Sequence, residues 1–287
     1  MISPAELIAL SSAAKEGGFY LVVTRAPARE FAEASLSEAA SLLRLKVPEL
    51  NRILNLGQPS PLGRVPTSDQ AALLGERLRA LGIETMILAH EELHIDAAPK
   101  KIRAFEVSDD SLTGIPTSGS DKATVRWEEV TLLVVGRLHL NRQETEERKR
   151  RGRRQTVDSR HLSADESVLD LYPKSDPVNW RINANNFDFS CLGLTKGPTT
   201  FENFAALISL LRDRAMNARF DDSYNQARLA LTSVWPVEEQ TRKGEWRRSG
   251  AGKYDVATVT TTGNEEQFTR YSRLQNHLRL RELMDSK

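Results

Sequence analysis

Apolar and polar positions show two different periodicities within residues 178–216. Residues 178–182 and 187–191 alternate between apolar and polar, which predicts two half-buried strands. Thr199 and Glu202 then have the spacing of a capping box at a helix start. The apolar residues that follow recur at intervals of three and four, as on one helix face: Phe204, Leu207, Ile208 and Leu211. We expect this helix to cover the sheet that precedes it.

The N-terminal part of the chain predicts a small α/β unit. Ser3-Pro4 and Glu6 indicate a first helix start, and Pro59 to Gly63 indicate a loop. Between and after them, periodicity and stop signals predict a β-α-α-α-β order: strands at 19–24 and 84–88, and helices at 36–43, 48–54 and 67–81.

Four segments in this unit carry a resemblance to a known family: FYLVV at 19–23, LLRLK at 42–46, Val65-Pro66-Thr67, and the run 77–88. They resemble the C-terminal domain of the bacterial ribosomal stalk protein, and the resemblance implies that domain's fold and a bacterial source. That family contacts translation factors through a glycine and several lysines. Arg44 stands at the glycine position here and only Lys46 has a lysine counterpart, so we do not predict the ribosomal function.

The middle of the chain predicts a β-rich domain. Residues 142–161 are highly charged and lack periodicity, so we interpret the span 142–163 as a solvated insertion or loop. Five segments around it are predicted to be strands: 101–108, 111–117, 123–127, 130–140 and 168–172. Together with the two strands predicted within 178–191, they make seven.

Seven strands followed by one long helix, with Trp127-Glu128-Glu129-Val130 at a turn, resemble pleckstrin-homology and GRAM-like domains. The resemblance implies a bent sheet capped by its C-terminal helix. Members that bind phosphoinositides do so through a basic loop between the first two strands. Asp109 and Asp110 stand in that loop here, and a phosphoinositide headgroup would be repelled, so we do not expect lipid binding.

The last third of the chain is polar and basic between its apolar patches. The pattern predicts a helix at 221–235, an edge strand at 255–261 and a final helix carrying Phe268, Tyr271, Leu274 and Leu278. We therefore predict an α+β protein with three parts: a small α/β domain (1–96), a PH-like β domain (100–220) with its charged insertion, and a loosely ordered tail (221–287).

Composition restricts the function classes without choosing one. The 287 residues contain 40 Lys and Arg against 39 Asp and Glu, so net charge favours neither nucleic acid nor an acidic partner. A single cysteine, Cys191, excludes an intramolecular disulfide framework and an all-cysteine zinc site. No apolar run reaches the ~18 residues of a membrane span, and the N-terminus has no signal-peptide pattern. We expect a cytoplasmic protein.

The sharpest chemical motif is His90-Glu91-Glu92-Leu93-His94, which fits H-E-x-x-H. On an α-helix its two histidines can hold zinc while Glu91 acts as the base. The preceding strand, Pro99 and the lack of a clear third ligand favour a polar turn instead. His90 and His94 are therefore only weak metal-ligand candidates, and no cofactor is expected.

The strongest charge feature is a run of six cations whose charge could neutralise phosphates: Arg148, Lys149, Arg150, Arg151, Arg153 and Arg154. Glu144, Glu146 and Glu147 lie just upstream, and no aromatic residue interleaves with the run. A solvated loop is the alternative interpretation.

The remaining motifs do not support catalysis. Residues 250–253 (GAGK) lack the first glycine and the Ser or Thr of a phosphate-binding loop, and Cys191 shares a face with Phe187 and Phe189, which favours a core role. We predict a non-enzymatic protein that binds an unknown protein partner. The alternatives are nucleic-acid association through the basic run and, less favoured, a zinc hydrolase using His90, Glu91 and His94.

Overall fold

The computed structural model describes residues 17–24, 31–119, 121–150, 153–174, 176, 178–244, 247–250 and 253–285. Its helices and mixed sheets confirm the predicted α+β class. The expected helix near Ser3 to Glu6 lies outside the described residues. No helix among those described is long and apolar enough to cross a membrane.

A small antiparallel sheet and three helices form the N-terminal unit. The elements are β1 (Phe19–Val23), α1 (Glu33–Leu43), α2 (Val47–Leu54), β2 (Ser60–Val65), α3 (Ser68–Ala80) and β3 (Thr85–Ala89), with strand order β2-β1-β3. The loop prediction for Pro59 to Gly63 is wrong, because β2 occupies it. Proline is tolerated there since β2 is an edge strand, and Leu62 of the same strand is fully buried.

A larger sheet holds the remaining strands in the order β11-β13-β7-β8-β9-β4-β5-β6, with β10 beside β7 and β12 beside β13. The elements are β4 (Lys100–Val107), β5 (Ser111–Pro116), β6 (Ala123–Arg126), β7 (Val130–Arg150), β8 (Arg153–Pro173), β9 (Trp180–Asn183), α4 (Thr200–Arg214), β10 (Arg219–Asp221), α5 (Tyr224–Leu231), β11 (Glu238–Lys243), β12 (Arg247–Gly250), β13 (Lys253–Gly263) and α6 (Glu265–Asp285).

Helix α4 covers the sheet as its periodicity predicts. Phe204, Leu207 and Leu211 are buried in one core cluster, and Ile208 packs against it. The capping box at Thr199 and Glu202 is present. The strand predicted at 187–191 is wrong: Asp188 makes only an isolated β-bridge to Ala104, and Phe189–Thr195 forms 3₁₀ turns that bury Phe189 against Phe187.

The prediction of a loosely ordered tail is wrong for α6, because residues 267–269 and 271–276 of this helix are buried. Phe268, Tyr271 and Leu274 are buried on one side of α6, as the final-helix pattern predicts. Its polar residues are buried as well, because they bond to surrounding elements: Gln275 donates to the Pro59 carbonyl at 3.4 Å and Arg273 to the Ala97 carbonyl at 3.0 Å. Residues 267–269 and 271–276 of α6 are therefore buried, whereas Glu265 and Glu266 at its start are exposed.

A buried ion pair fixes α6 to the larger sheet. Arg181 on β9 donates two 2.8 Å hydrogen bonds to Asp170, its direct neighbour on β8, and both side chains are 1% exposed. Arg181 also donates to Thr269 on α6 at 2.9 Å. The alternation around Arg181 suggests a solvent-facing residue, so only the position of α6 explains its burial.

One core cluster joins the two sheets. Tyr20 and Leu88 from the N-terminal sheet pack with Leu132 of β7, Trp235 and Phe268. The boundary predicted near residue 96 stays a prediction, but the two units share apolar core across it.

Candidate nucleic-acid interface

The HEELH motif does not form the α-helix that a zinc site of this type needs. Residues His90–Leu93 make a single 3₁₀ turn, and His94 takes a left-handed backbone conformation. His90 is buried, with Nδ1 3.1 Å from the Tyr20 hydroxyl, whereas His94 is exposed. Burial, and next the charge of Arg64, lower the pKa of His90. Across the described residues, no group of three or more His, Cys, Asp or Glu is arranged to hold a metal ion.

The sole cysteine lies beside the core. Cys191 is half-buried and packs against the cluster that contains Phe187 and Phe189. Burial raises the pKa of its thiol, which disfavours the thiolate that a nucleophile needs.

The charged segment 142–163 is not a loop. Its residues form the outer halves of β7 and β8, which pair from Leu140 opposite Ala164 to Arg150 opposite Arg153. Residues 140–143 and 159–165 of this hairpin are exposed, and residues 144–147 are partly exposed, so both faces meet solvent along the part whose side chains the structure describes. Apolar periodicity is absent because neither face is buried, so the hydrogen-bonded ladder alone defines the strands.

Strand β13 extends the hairpin into a wider sheet. It pairs with β7 from Gly263 opposite Leu140 to Lys253 opposite Arg150, and β11 and β12 pair with its far side. We call this four-strand-wide part the β-arm: residues 140–150 of β7, 153–164 of β8, and β11, β12 and β13. Eleven residues of β7 give it a length of about 35 Å.

Strand register brings a second basic segment beside the first at the end of the β-arm. Residues 148–150 pair with 153–155 on one side and with 253–255 on the other, and 247–248 pair with 254–255. We call the resulting group the basic end: Arg148, Lys149, Arg150, Arg153, Arg154, Arg247, Arg248 and Lys253. Asp255 is the one acidic residue among these paired positions. Arg151, the remaining predicted residue, lies outside the described residues.

One register row across the basic end also contains an aromatic residue. Arg248 is opposite Tyr254, Tyr254 is opposite Lys149, and Lys149 is opposite Arg154. Directly opposed residues share a face of a sheet. The lack of an aromatic residue within 148–154 is therefore offset by a neighbour about 100 positions away.

A groove lies at the root of the β-arm, between α4, α5 and the β7–β8 surface. It has a volume of about 480 Å³. Arg137 and Arg228 line it, and neither forms an ion pair within the part of the chain that the structure describes. Phe201 lies on the groove with 69% of its surface exposed. His139 lines it too and binds the Asp165 carboxylate at 2.6 Å.

A second surface depression lies at the loop between β4 and β5. Asp109 and Asp110 line it together with Trp127, whose indole donates to the Ser108 carbonyl at 3.0 Å. Arg214 pairs with Asp109 at 3.3 Å. Two carboxylates thus stand where the PH-like resemblance would place a basic loop.

Comparison of the chain with protein-family models, with curated proteins and with solved structures found no match. The resemblances to the stalk protein and to PH-like domains accordingly stay predictions. Sequence reasoning identified the basic run but missed Arg247, Arg248 and Tyr254 as its neighbours. The polar, basic character of 237–253 was the available signal, because strand pairing between two basic segments would concentrate their charge.

Proposed function

We propose that this protein binds nucleic acid through the basic end of its β-arm. The observation that carries the proposal is the register that aligns residues 247–254 with residues 148–154. A solvated loop would leave these segments apart, whereas a shared sheet sets their backbones about 5 Å apart from strand to strand. The proposal is a binding function and includes no catalytic step.

Phosphate neutralisation is the chemistry that such a group favours. Each Lys or Arg that contacts a phosphate releases counterions and steepens the salt dependence of binding. Tyr254 has a register position in the same row, and tyrosine is a residue type on which a base can stack. The near-neutral net charge of the whole chain implies a local contact at the β-arm and not a diffuse attraction over the whole surface.

The test compares the salt dependence of oligonucleotide binding among three proteins. Lys149→Gln/Arg154→Gln removes two charges from the basic end, and Arg77→Gln/Arg79→Gln removes two exposed charges from α3 as the matched control. We expect the first pair to lower the slope of log K against log salt by about 1.4 for a single strand, and the control pair to leave it unchanged. Equal slopes in all three proteins would contradict the proposal.

Protein binding through a sheet edge is the second candidate. Residues 153–165 of β8 pair with β7 alone among the described residues, since β9 pairs only with 168–171. An open edge offers backbone groups to an added strand, and Leu162 on it is 60% exposed. We expect Leu162→Lys to abolish capture of a strand-donating partner, and Leu229→Lys on α5, equally exposed, to preserve it. Capture by both variants would exclude this edge.

A further inference from the structure

The root groove and one register row of the basic end, at positions 149, 154 and 248, fall on the same face of the sheet. Arg137 and His139 line the groove, and Lys149 is separated from each by an even number of residues along one strand. The β7–β13 register runs without interruption from Leu140 to Arg150. Because successive strand positions alternate between faces, positions 137, 139 and 149 of β7 fall on one face of the sheet.

Neutral polar residues connect the two basic regions along this face. Asn141, Gln143 and Thr145 follow His139 on β7 at every second position. The residues paired with them on β8 and β13 carry hydroxyl or imidazole groups and no carboxylate: Ser163, His161, Ser159, Thr262, Thr260 and Thr258. The face therefore presents hydrogen-bonding groups between two sets of cations.

Three carboxylates lie on the same face but leave the neutral polar residues between the two basic regions uninterrupted on β7 from Asn141 to Thr145. Asp165 is already bound to His139 at 2.6 Å. Glu239 lies on β11, at the outer edge of the β-arm, and Glu147 on β7 precedes the basic row. A ligand that crosses this face over β7 and β8 avoids Glu239 and meets mainly hydroxyl, amide and imidazole groups.

The groove has the features of a site for one nucleotide. Its volume of about 480 Å³ falls in the range of small-molecule sites. Arg137 and Arg228 are cations without an acidic partner in the described chain, suited to a phosphate. Phe201 exposes 69% of its surface, enough for a base to stack on its ring.

We infer that the root groove holds a nucleotide of the same nucleic-acid strand that the basic end binds, so that a single strand lies along the β-arm. This inference rests on the proposed function. The ten residue steps from His139 to Lys149 span about 33 Å, which corresponds to about ten nucleotides at stacked spacing and fewer in an extended strand. A base that stacks on Phe201 must be unpaired, which selects single-stranded over duplex nucleic acid.

The test uses thymidine oligonucleotides of two lengths. One of about four nucleotides reaches only the basic end, and one of about 16 spans the β-arm. We expect Arg137→Gln/Arg228→Gln to weaken binding of the long oligonucleotide about tenfold and to lower its salt slope by about 1.4, with no effect on the short one. Lys149→Gln/Arg154→Gln should weaken both, and Arg77→Gln/Arg79→Gln neither.

Phe201→Ala provides a second variant that leaves charge unchanged. We expect it to weaken the long oligonucleotide several-fold through lost stacking and to leave the salt slope unchanged. Because Phe201 is exposed, its truncation removes little packing, and equal thermal midpoints of the variants check that the fold is unchanged.

The outcomes separate the two proposals. If the wild-type protein binds neither oligonucleotide, the proposed function fails. If it binds both and the groove variants match the wild type, only the groove inference fails. Loss of thymidine monophosphate binding in the groove variant, with long-oligonucleotide affinity unchanged, would assign the groove to free nucleotides and overturn the inference. Duplex binding with the same groove dependence would also overturn it.

Discussion

Gly136 on β7 occupies a position where even one methyl group has no room. A Cβ added there would lie 2.6 and 2.7 Å from two ring carbons of Phe268, and 2.9 Å from one of Tyr224. Both aromatic residues are fully buried, and their rings pack edge to face with centroids 5.0 Å apart. The Arg181 guanidinium lies over the Phe268 ring, 5.1 Å from its centroid.

The cost of Gly136→Ala follows from this packing. Ordinary carbon contacts begin near 3.5 Å, so the Phe268 ring would have to retreat by about 1 Å. Overpacking of a well-filled core costs about 1–3 kcal/mol, and the enclosed ring places this site near the upper limit. The conformational gain of replacing a strand glycine offsets about 0.5 kcal/mol. We expect a net loss of about 2 kcal/mol in the free energy of unfolding and a melting temperature about 6 °C lower.

Thermal and urea unfolding, followed by circular dichroism, measure this effect. Gly263→Ala is the matched control, because an added Cβ there meets nothing closer than 3.5 Å, the Leu140 side chain. The double variant Gly136→Ala/Phe268→Leu should lose less stability than the two single losses combined, since leucine frees the space of the ring. Equal midpoints for Gly136→Ala and Gly263→Ala, or strict additivity in the double variant, would refute the reasoning.

Three further predictions concern buried charge and pH. Arg181→Met should cost about 3–5 kcal/mol, because it leaves Asp170 buried and unpaired, and adding Asp170→Leu should recover much of that loss in urea unfolding. Burial, and next Glu266, raise the pKa of Glu238 to about 7 from its ordinary 4.5. Between these two pH values the folded state retains a proton that the unfolded state releases, so the stability present at low pH is lost as the pH rises to 7. Glu238→Gln should flatten that decline. Burial lowers the pKa of His277, so its contribution to the free energy of unfolding is complete above pH 6.5 and falls as the pH drops below that value. His277→Gln should reduce this loss of stability in acid. An unchanged dependence of stability on pH would contradict the lowered pKa of His277.

The sequence determined most of the helices and the strands with a buried face. Helix α4 is where the three-and-four spacing of Phe204, Leu207 and Leu211 predicts it, because a helix with one buried face must repeat at its own period. The final helix is likewise marked by Phe268 and Tyr271. Strand β2 was missed because prolines and a glycine, read locally, indicate a loop, and only its edge position makes them compatible with a sheet.

The tertiary structure alone decided the β-arm, the burial of α6 and the candidate interface. A strand solvated on both faces has no apolar alternation to reveal it, so residues 142–163 gave no strand signal. The burial of α6 depends on hydrogen-bond partners as distant in sequence as Pro59 and Ala97. The basic run could be identified from the sequence, but its alignment with Arg248 and Tyr254 depends on the register between β13 and β7. The sequence did not reveal this register, because backbone pairing between distant segments depends on how the whole chain folds.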